Sequence, residues 1–337
     1  MKYTYYIRFI HMATLLALIV VVLGAWVRLT DAGLGCPDWP GCYGSLIVPD
    51  QETEAAESNA AFPERPLDAT KAWNEMVHRY AATTLGLAIL LAALLAWMNR
   101  RDPGQPVKLP LTLLGVVIFQ GLLGMWTVTL LLKPLIVMGH LIGGLTTLGL
   151  CFWLLLEHYR RPLSVENRQR IIVRPALIAL IVLICQIALG GWTSSNYAAL
   201  ACPDLPTCNG QWWPDQANFG EGFVLWRGLG IDYEFGILDT PSRIAIHYTH
   251  RLGAMVTFLL LGFVALKFAQ RKTAPPIRQA GQLAITALIA QVAIGIGVIW
   301  FGLPLTLATA HNGVAALLLL ATINLNHAAS LYSSRAP

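Results

Sequence analysis

Four histidines lie in apolar segments of the sequence. Their spacing makes one pair, His78 and His140, equivalent to a second pair, His250 and His311. His78 and His250 are 172 residues apart, and His140 and His311 are 171 apart. Each is expected five to seven residues into its helix, at a depth of roughly 8–11 Å, because an α-helix rises 1.5 Å per residue. Two imidazoles that face each other across a helix bundle can supply both axial ligands of a heme iron. The pattern predicts two bis-histidine sites.

Two other interpretations of these histidines are weaker. A single histidine in a membrane span often only hydrogen-bonds to a neighbouring helix, but that does not account for two pairs at matched depth. Copper and zinc sites usually add thiolate or carboxylate ligands at close spacing, and none lies beside His140 or His311. His11, His158 and His327 have no repeat partner and are interpreted as structural.

One ionisable residue distinguishes the two pairs. Glu75 lies three residues before His78, on the same helix face, whereas the equivalent residue before His250 is His247. A carboxylate within a membrane span is costly and usually marks function. Glu75 is therefore predicted to be catalytic. The alternative is a partly wet glutamate at the outer interface, paired with Arg79.

Arginine follows the first histidine of each pair, as Arg79 and Arg251. An arginine in the outer half of a span can pair bidentately with a carboxylate, and heme propionates are such carboxylates. It can also simply extend its charged end to the interface. Both interpretations stay open, and the two arginines are candidate cofactor-binding residues.

Four of the six cysteines form two C-x5-C loops, Cys36 with Cys42 and Cys202 with Cys208. Both loops are expected on the outer, oxidising side, where disulfides are permitted. The pairs are predicted to be structural disulfides rather than redox-active thiols. The two remaining cysteines, Cys151 and Cys185, lie in apolar spans and are interpreted as small hydrophobic residues.

Other features of the chain recur at a similar spacing, which indicates an internal repeat. Trp26 and Trp192 are 166 residues apart, as are Cys36 and Cys202, and Gln120 and Gln291 are 171 apart. Each copy carries four spans, an even number, so both copies insert with the same orientation. This predicts a parallel repeat related by an axis along the membrane normal.

The composition explains where these residues must lie. The chain is 56% hydrophobic and 12% charged, with a mean hydropathy of +0.58, whereas a soluble domain carries roughly 25% charged residues. Runs of about 20 apolar residues span a bilayer, and they must be helical to satisfy their backbone hydrogen bonds. The first run, with no cleavage site after it, is interpreted as a retained anchor.

The predicted fold is an all-α membrane protein with eight transmembrane helices, arranged as two parallel-repeat four-helix bundles. The predicted spans are 9–29, 72–98, 109–131, 135–156, 174–196, 243–267, 279–301 and 305–328.

The charges predict the orientation of these spans. With the N-terminus inside, 15 of the 23 Lys and Arg residues lie on the inner side, as the positive-inside rule requires. Of the 18 acidic residues, 15 lie outside or at the outer ends of the helices. We expect a multi-pass protein of the cell inner membrane with both termini cytoplasmic. The predicted domains are 1–158, a cytoplasmic linker at 159–173, and 174–337.

Several of these segments together resemble the heme A synthase family. The resemblance is carried by Gly33-Leu34-Gly35-Cys36-Pro37-Asp38-Trp39-Pro40-Gly41-Cys42, by Glu75-Met76-Val77-His78-Arg79, and by the repeated His-Arg and later His, and it covers essentially the whole chain. It implies oxidation of the C8 methyl group of heme O to a formyl group, which gives heme A.

The resemblance also implies a different role for each half of the chain, a cofactor site in one and a substrate site in the other. It implies a resident heme b on His250 and His311 in the C-terminal half. It implies a substrate heme near His78 and His140 in the N-terminal half, with Glu75 as the essential carboxylate. His247, a third histidine in the C-terminal half, departs from this scheme. Expected partners are heme O, heme O synthase, an unidentified electron acceptor and the lipid bilayer, with no nucleic acid.

Two other functions fit part of the pattern. A diheme cytochrome b-type protein would transfer electrons, but ligands that all lie near the outer face place two hemes side by side rather than stacked across the bilayer. A heme carrier would not need Glu75. Only an oxidase of this family converts heme O to heme A in cells, so extraction of the pigments distinguishes the three.

Overall fold

The computed structural model describes residues 2–49, 52–160, 173–271 and 273–332, and these fold into helices joined by turns and loops. Most of the predicted linker, 161–172, lies outside the described residues. So do Lys272 and Arg335, two of the basic residues predicted to lie on the inner side. The helices are α1 (Lys2–Leu29), α2 (Glu52–Ala61), α3 (Ala69–Met98), α4 (Lys108–Thr129), α5 (Pro134–His158), α6 (Val173–Ser195), α7 (Phe219–Gly222), α8 (Thr240–Phe268), α9 (Pro275–Trp300) and α10 (Leu305–Tyr332).

Eight of these helices are long and apolar enough to cross a membrane, which confirms the eight predicted spans within the described residues. The two others, α2 and α7, lie in the long loops that follow α1 and α6. The protein is therefore a multi-pass helical membrane protein.

The helices that carry His78 and His250 begin earlier than the hydropathy indicated. Asp68 caps α3 by accepting a hydrogen bond from the Lys71 amide over 3.1 Å, and Asp239 caps α8 by accepting one from the Ser242 amide over 3.0 Å. Aspartate is a favoured N-cap because it satisfies an amide that has no partner inside the helix. As a result α3 and α8 start about three residues before the apolar segments do, with polar first turns.

The eight long helices form two closed sets of four. In the first helix set, α1 and α4 each pack against α3 and α5; in the second helix set, α6 and α9 each pack against α8 and α10. The sets meet where α5 contacts α6 and α10 and where α1 contacts α10. The histidine-bearing helices of each set are thus held between the same two neighbours.

Small residues bring α1 and α3 close together. Ala13 and Ala17 on α1 and Ala88, Ala92 and Ala96 on α3 are almost completely buried, and their spacing of four places each group along one helix face. Apolar packing in lipid gains little from the hydrophobic effect, so close backbone approach of this kind supplies much of the attraction.

The two sets are joined by polar contacts at both ends. At the outer end Arg28 donates to the Ser194 carbonyl over 2.6 Å, and the Tyr197 hydroxyl lies 3.1 Å from the Asp31 carboxylate. At the inner end His327 of α10 is hydrogen-bonded to Glu157 of α5 at 3.0 Å. The two other histidines without repeat partners make contacts within the first helix set, His11 to Tyr159 and His158 to Tyr3, each at 2.9 Å.

Candidate functional site

The first helix set brings His78 of α3 and His140 of α5 close together in its interior. Their ring centroids are 6.4 Å apart and the rings are inclined by 68°. A metal–imidazole bond is about 2 Å long, so two rings that share one metal ion have centroids roughly 6 Å apart. The observed separation therefore fits two axial ligands of one iron.

A glycine on the neighbouring helix lies against each histidine of this pair. A Cβ atom at Gly24 of α1 would come 3.2 Å from Nε2 of His78, and one at Gly124 of α4 would come 3.3 Å from Cε1 of His140. Any larger residue at these positions would press on the imidazole. The glycines keep space around the rings that a flat macrocycle requires.

The second helix set repeats this arrangement. A Cβ atom at Gly190 of α6 would come 3.2 Å from the His250 ring, and one at Gly295 of α9 would come 2.9 Å from the His311 ring. Within the described residues, no group of three or more His, Cys, Asp or Glu side chains could hold a metal ion. Each pair is therefore a two-histidine set, which is the donor set that a heme needs.

Three of the four histidines contact the amide of a glutamine. Gln120 lies 3.1 Å from Nδ1 of His140, and Gln291 lies 3.3 and 3.2 Å from the two ring nitrogens of His311. Gln186 lies 3.0 Å from Nδ1 of His250. The sequence pattern revealed Gln120 and Gln291 only as a repeat match and missed Gln186, although a glutamine inside an apolar span is itself a signal.

Glu75 is buried, with 5% of its surface exposed, and both of its carboxylate oxygens are engaged. One accepts a hydrogen bond from the Cys36 amide over 2.9 Å, and the other pairs with Arg79 at 2.5 Å. The pairing with Arg79 is the one that the alternative interpretation expected, but the site is buried rather than partly wet.

His247 occupies the equivalent place in the second helix set and makes the equivalent contact. Its Nδ1 accepts a hydrogen bond from the Cys202 amide over 3.1 Å, and the side chain is buried. His247 is thus directed at the loop, while His250 is directed at Gly190 and Gln186. This geometry favours His250 over His247 as the partner of His311.

The two arginines hold the cysteine loops onto the helices. Arg79 donates to the carbonyls of Asp38 and Gly41 over 3.0 and 2.5 Å, and Arg251 donates to those of Asp204 and Thr207, each over 2.8 Å. These carbonyls occupy matching places in the two loops. The sequence did not reveal these contacts, because a backbone carbonyl leaves no mark on residue type.

Both predicted cysteine pairs lie at disulfide distance, Cys36 with Cys42 and Cys202 with Cys208. The Cα atoms of each pair are 4.7 Å apart, within the ordinary range for a disulfide. All four cysteines are fully buried. Cys151 and Cys185 are unpaired, the first buried and the second exposed on the helix surface.

An aspartate organises each loop from within. The Asp204 carboxylate accepts hydrogen bonds from the Thr207 hydroxyl and from the amides of Asn209 and Gly210, the last two over 2.6 and 3.0 Å. The Thr207 contact and then the two amides lower the pKa of Asp204 to about 2. Asp38 has the same role in the first loop, where it accepts from the amides of Tyr43 and Gly44.

These features define a class of protein: a polytopic helical membrane protein with a histidine pair in each of two helix sets, each beneath a disulfide-closed outer loop. Residues 7–323 match the family model COX15-CtaA, described as cytochrome oxidase assembly protein. The chain belongs to this family.

Curated relatives agree with this assignment. The chain is 43% identical over 328 residues to a heme A synthase of Shewanella oneidensis, which covers 97% of this chain and 96% of the relative. It is 30% identical to a heme A synthase of Caulobacter vibrioides, with 89% of each chain covered. The resemblance drawn from the sequence is confirmed, and so is the prediction of an enzyme, a membrane oxidoreductase.

Proposed function

We propose that this protein makes heme A from heme O by oxidising the C8 methyl group of heme O to a formyl group. In this proposal the first helix set binds the substrate heme at His78 and His140, and Glu75 is the essential carboxylate. The second helix set holds a resident heme b on His250 and His311.

The observation that carries the proposal is the difference between Glu75 and His247 on two otherwise matching scaffolds. Both sets have two histidines with a glycine beside each, and both Glu75 and His247 accept a hydrogen bond from the backbone amide of the first cysteine of the outer loop. Only the first set adds a carboxylate next to its histidine pair. Two binding sites with one acidic group fit an enzyme in which one site does chemistry and the other holds a cofactor.

The residues of the second set fit the proposed heme b. His250 and His311 supply two imidazole nitrogens, and the glycines at 190 and 295 leave room beside them. When bound, heme b supplies one-electron redox chemistry. The protein's part would be to hold the His250 and His311 imidazoles in place and to exclude water, as second-shell contacts and apolar surroundings do in other heme sites.

Glu75 is proposed to manage the protons that leave when C–H bonds of the methyl group are oxidised. Its two oxygens are held by the Cys36 amide and by Arg79, and each oxygen has a second lone pair that can accept a proton. Protonation would weaken the contact with Arg79, because it removes the carboxylate charge that attracts the guanidinium. Arg79 would then remain bound to the loop carbonyls of Asp38 and Gly41.

The proposal extends to partners and location. Heme O is hydrophobic and would enter from the bilayer, with heme O synthase as the expected source and an electron acceptor needed to reoxidise the protein. The proposed location is the cell inner membrane, and the distribution of Lys and Arg supports an orientation with both termini cytoplasmic.

The test is to express the chain together with a heme O source in cells that lack heme A, and to identify the extracted hemes by mass spectrometry. Heme A should appear only when the chain is present. Heme O alone, beside a correctly inserted protein with bound heme, would indicate the electron-transfer or carrier function instead.

A further inference from the structure

Gln186 makes a two-point contact with His250. Its side-chain nitrogen, Nε2, lies 3.0 Å from Nδ1 of the imidazole and donates to the backbone carbonyl of the same residue, also over 3.0 Å. One nitrogen therefore contacts both the ring and the helix backbone of α8. The contact with the ring restricts rotation of the imidazole about its side-chain bonds.

A glycine makes this contact possible. A Cβ atom at Gly253, one turn after His250, would lie 2.2 Å from the Gln186 oxygen, so even alanine would displace the amide. The same combination holds His140, where Gln120 contacts both Nδ1 and the carbonyl at 3.1 and 2.6 Å and lies over Gly143. We call this combination the glutamine–glycine clamp.

His78 has no clamp. The residues equivalent to Gln186 and Gly253, at offsets of 166 and 172, are Val20 and Ala81. Valine cannot hydrogen-bond, and alanine fills the space that the amide would need. Among the described residues, no side chain is hydrogen-bonded to the His78 ring, so both elements of the clamp are missing at the same ligand.

The partner at Nδ1 decides how an imidazole ligates. Iron binds the nitrogen that carries no proton, and a group that accepts a hydrogen bond from the other nitrogen fixes the tautomer and makes the ligand more basic. Rotation of the Gln186 side-chain amide by half a circle brings its oxygen to Nδ1 of His250, and the contact with the His250 backbone carbonyl is then lost. That oxygen is buried and has no other partner among the described residues.

We propose that Gln186 is a positioning residue that keeps His250 as a permanent axial ligand, whereas the unclamped His78 is the ligand that releases so that substrate heme can exchange. The inference deepens the proposed function and rests on it. An enzyme that turns over a heme has to break iron–ligand bonds at the substrate site and preserve them at the cofactor site. One releasable ligand in the first helix set and a clamped ligand in the second meet both needs.

The first experiment removes the clamp from either side. Gln186→Val and Gly253→Ala each install the residue that the first helix set carries, and transfer of heme b from the purified protein to apomyoglobin is then timed. Changes of second-shell partners typically weaken metal binding about 10- to 100-fold, so both variants should release heme faster by about that factor. The double variant should be no faster than either single one, because both act on one contact.

Gln186→Glu serves as a shape-matched control. A carboxylate at this position can only accept from Nδ1, so it should make His250 more basic, slow heme release and lower the midpoint potential of heme b. Gln186→Val should raise that potential. A merely structural role for Gln186 would not shift the potential in opposite directions in the two variants.

The reverse experiment builds a clamp in the first helix set. The pair Val20→Gln and Ala81→Gly should slow the release of heme O from that set, again timed with apomyoglobin. Unchanged release rates in this pair, or an unchanged rate and potential in Gln186→Val, would overturn the inference. Failure of the proposed function is recognised separately, because the unmodified protein would then carry no heme that depends on His250.

Discussion

The backbone amide of Cys36 donates a hydrogen bond to the Glu75 carboxylate over 2.9 Å, and so ties the outer disulfide loop to the helix that carries His78. The second helix set makes the same connection with an imidazole, since the Cys202 amide donates to His247. Glu75 thus has a place in the loop architecture as well as a proposed place in the chemistry. Experiments on Glu75 have to separate the two.

Glu75→Gln is expected to abolish heme A formation while leaving the resident heme b almost intact. The amide oxygen can still accept from Cys36, but the ionisable group is gone, and a positioned proton acceptor typically contributes about 10²–10⁴-fold in rate. Heme A and heme b are quantified by chromatography of extracted pigments. Peptide mapping of the Cys36–Cys42 disulfide checks that the loop stays folded. Loss of heme b in this variant, with heme b retained in His250→Ala, would mean that the two helix sets have the opposite roles.

His250→Ala and His311→Ala are each expected to lower the heme b content of the purified protein. Removal of one axial nitrogen leaves the iron five-coordinate and loosely held. Absorption spectra in the reduced state report both the amount of heme and its spin state. A low-spin spectrum of unchanged intensity in both variants would refute the assignment of heme b to the second helix set.

Both outer disulfides are expected to be present in protein from an oxidising compartment and to stabilise the loops. Replacement of Cys202 and Cys208 together by serine should lower the free energy of unfolding by about 2 kcal/mol, since a closed loop of this length restricts the unfolded chain only modestly. Non-reducing peptide mapping identifies the links, and thermal unfolding in detergent measures the loss. Cys185→Ser, at a free and exposed cysteine, is the control and should change little.

Gly35→Ala is expected to destabilise the contact between the first loop and α3. A Cβ atom there would come 2.6 Å from the carbonyl carbon and oxygen of Lys71, which are backbone atoms that cannot move aside alone. Overpacking of this kind costs about 1–3 kcal/mol, measured as a lower unfolding temperature in detergent. Gly86→Ala is the control. Gly86 lies in α3, where an added Cβ meets nothing within 4 Å, so this change should be neutral or slightly stabilising.

The second outer loop is expected to loosen in strong acid. The Thr207 hydroxyl and two loop amides lower the pKa of Asp204 to about 2, below the ordinary value of about 4 for aspartate. The resulting stabilisation is complete above pH 4 and is lost as the pH falls through 2. Reduction of the Cys202–Cys208 disulfide by a phosphine should be slower in the unmodified protein than in Asp204→Asn at pH 5. Equal rates at pH 5 would contradict this, whereas convergence of the two rates near pH 2 is expected.

Much of the architecture was predictable from one-dimensional signals. Hydropathy located the eight spans because a bilayer demands about 20 apolar residues per helix. The nearly constant offset between copies identified His78 and His250, and likewise His140 and His311, as equivalent residues. The starts of α1, α3, α8 and α9 were placed three to seven residues too late. In α3 and α8 the reason is that the capped first turns are polar and carry no hydropathy signal.

The sequence by itself determined the class of fold, the histidine pairs, the cysteine pairs and the position where Glu75 replaces a histidine, since each depends on residue type and spacing along the chain. The tertiary structure alone decided that Arg79 and Arg251 hold loop carbonyls, that Cys36 contacts Glu75, and that Gln186 clamps His250 over Gly253. These contacts join separate helices and loops, and their partners are backbone atoms or the empty space beside a glycine. Such partners are set by which helix faces meet, and no spacing within a single segment encodes that.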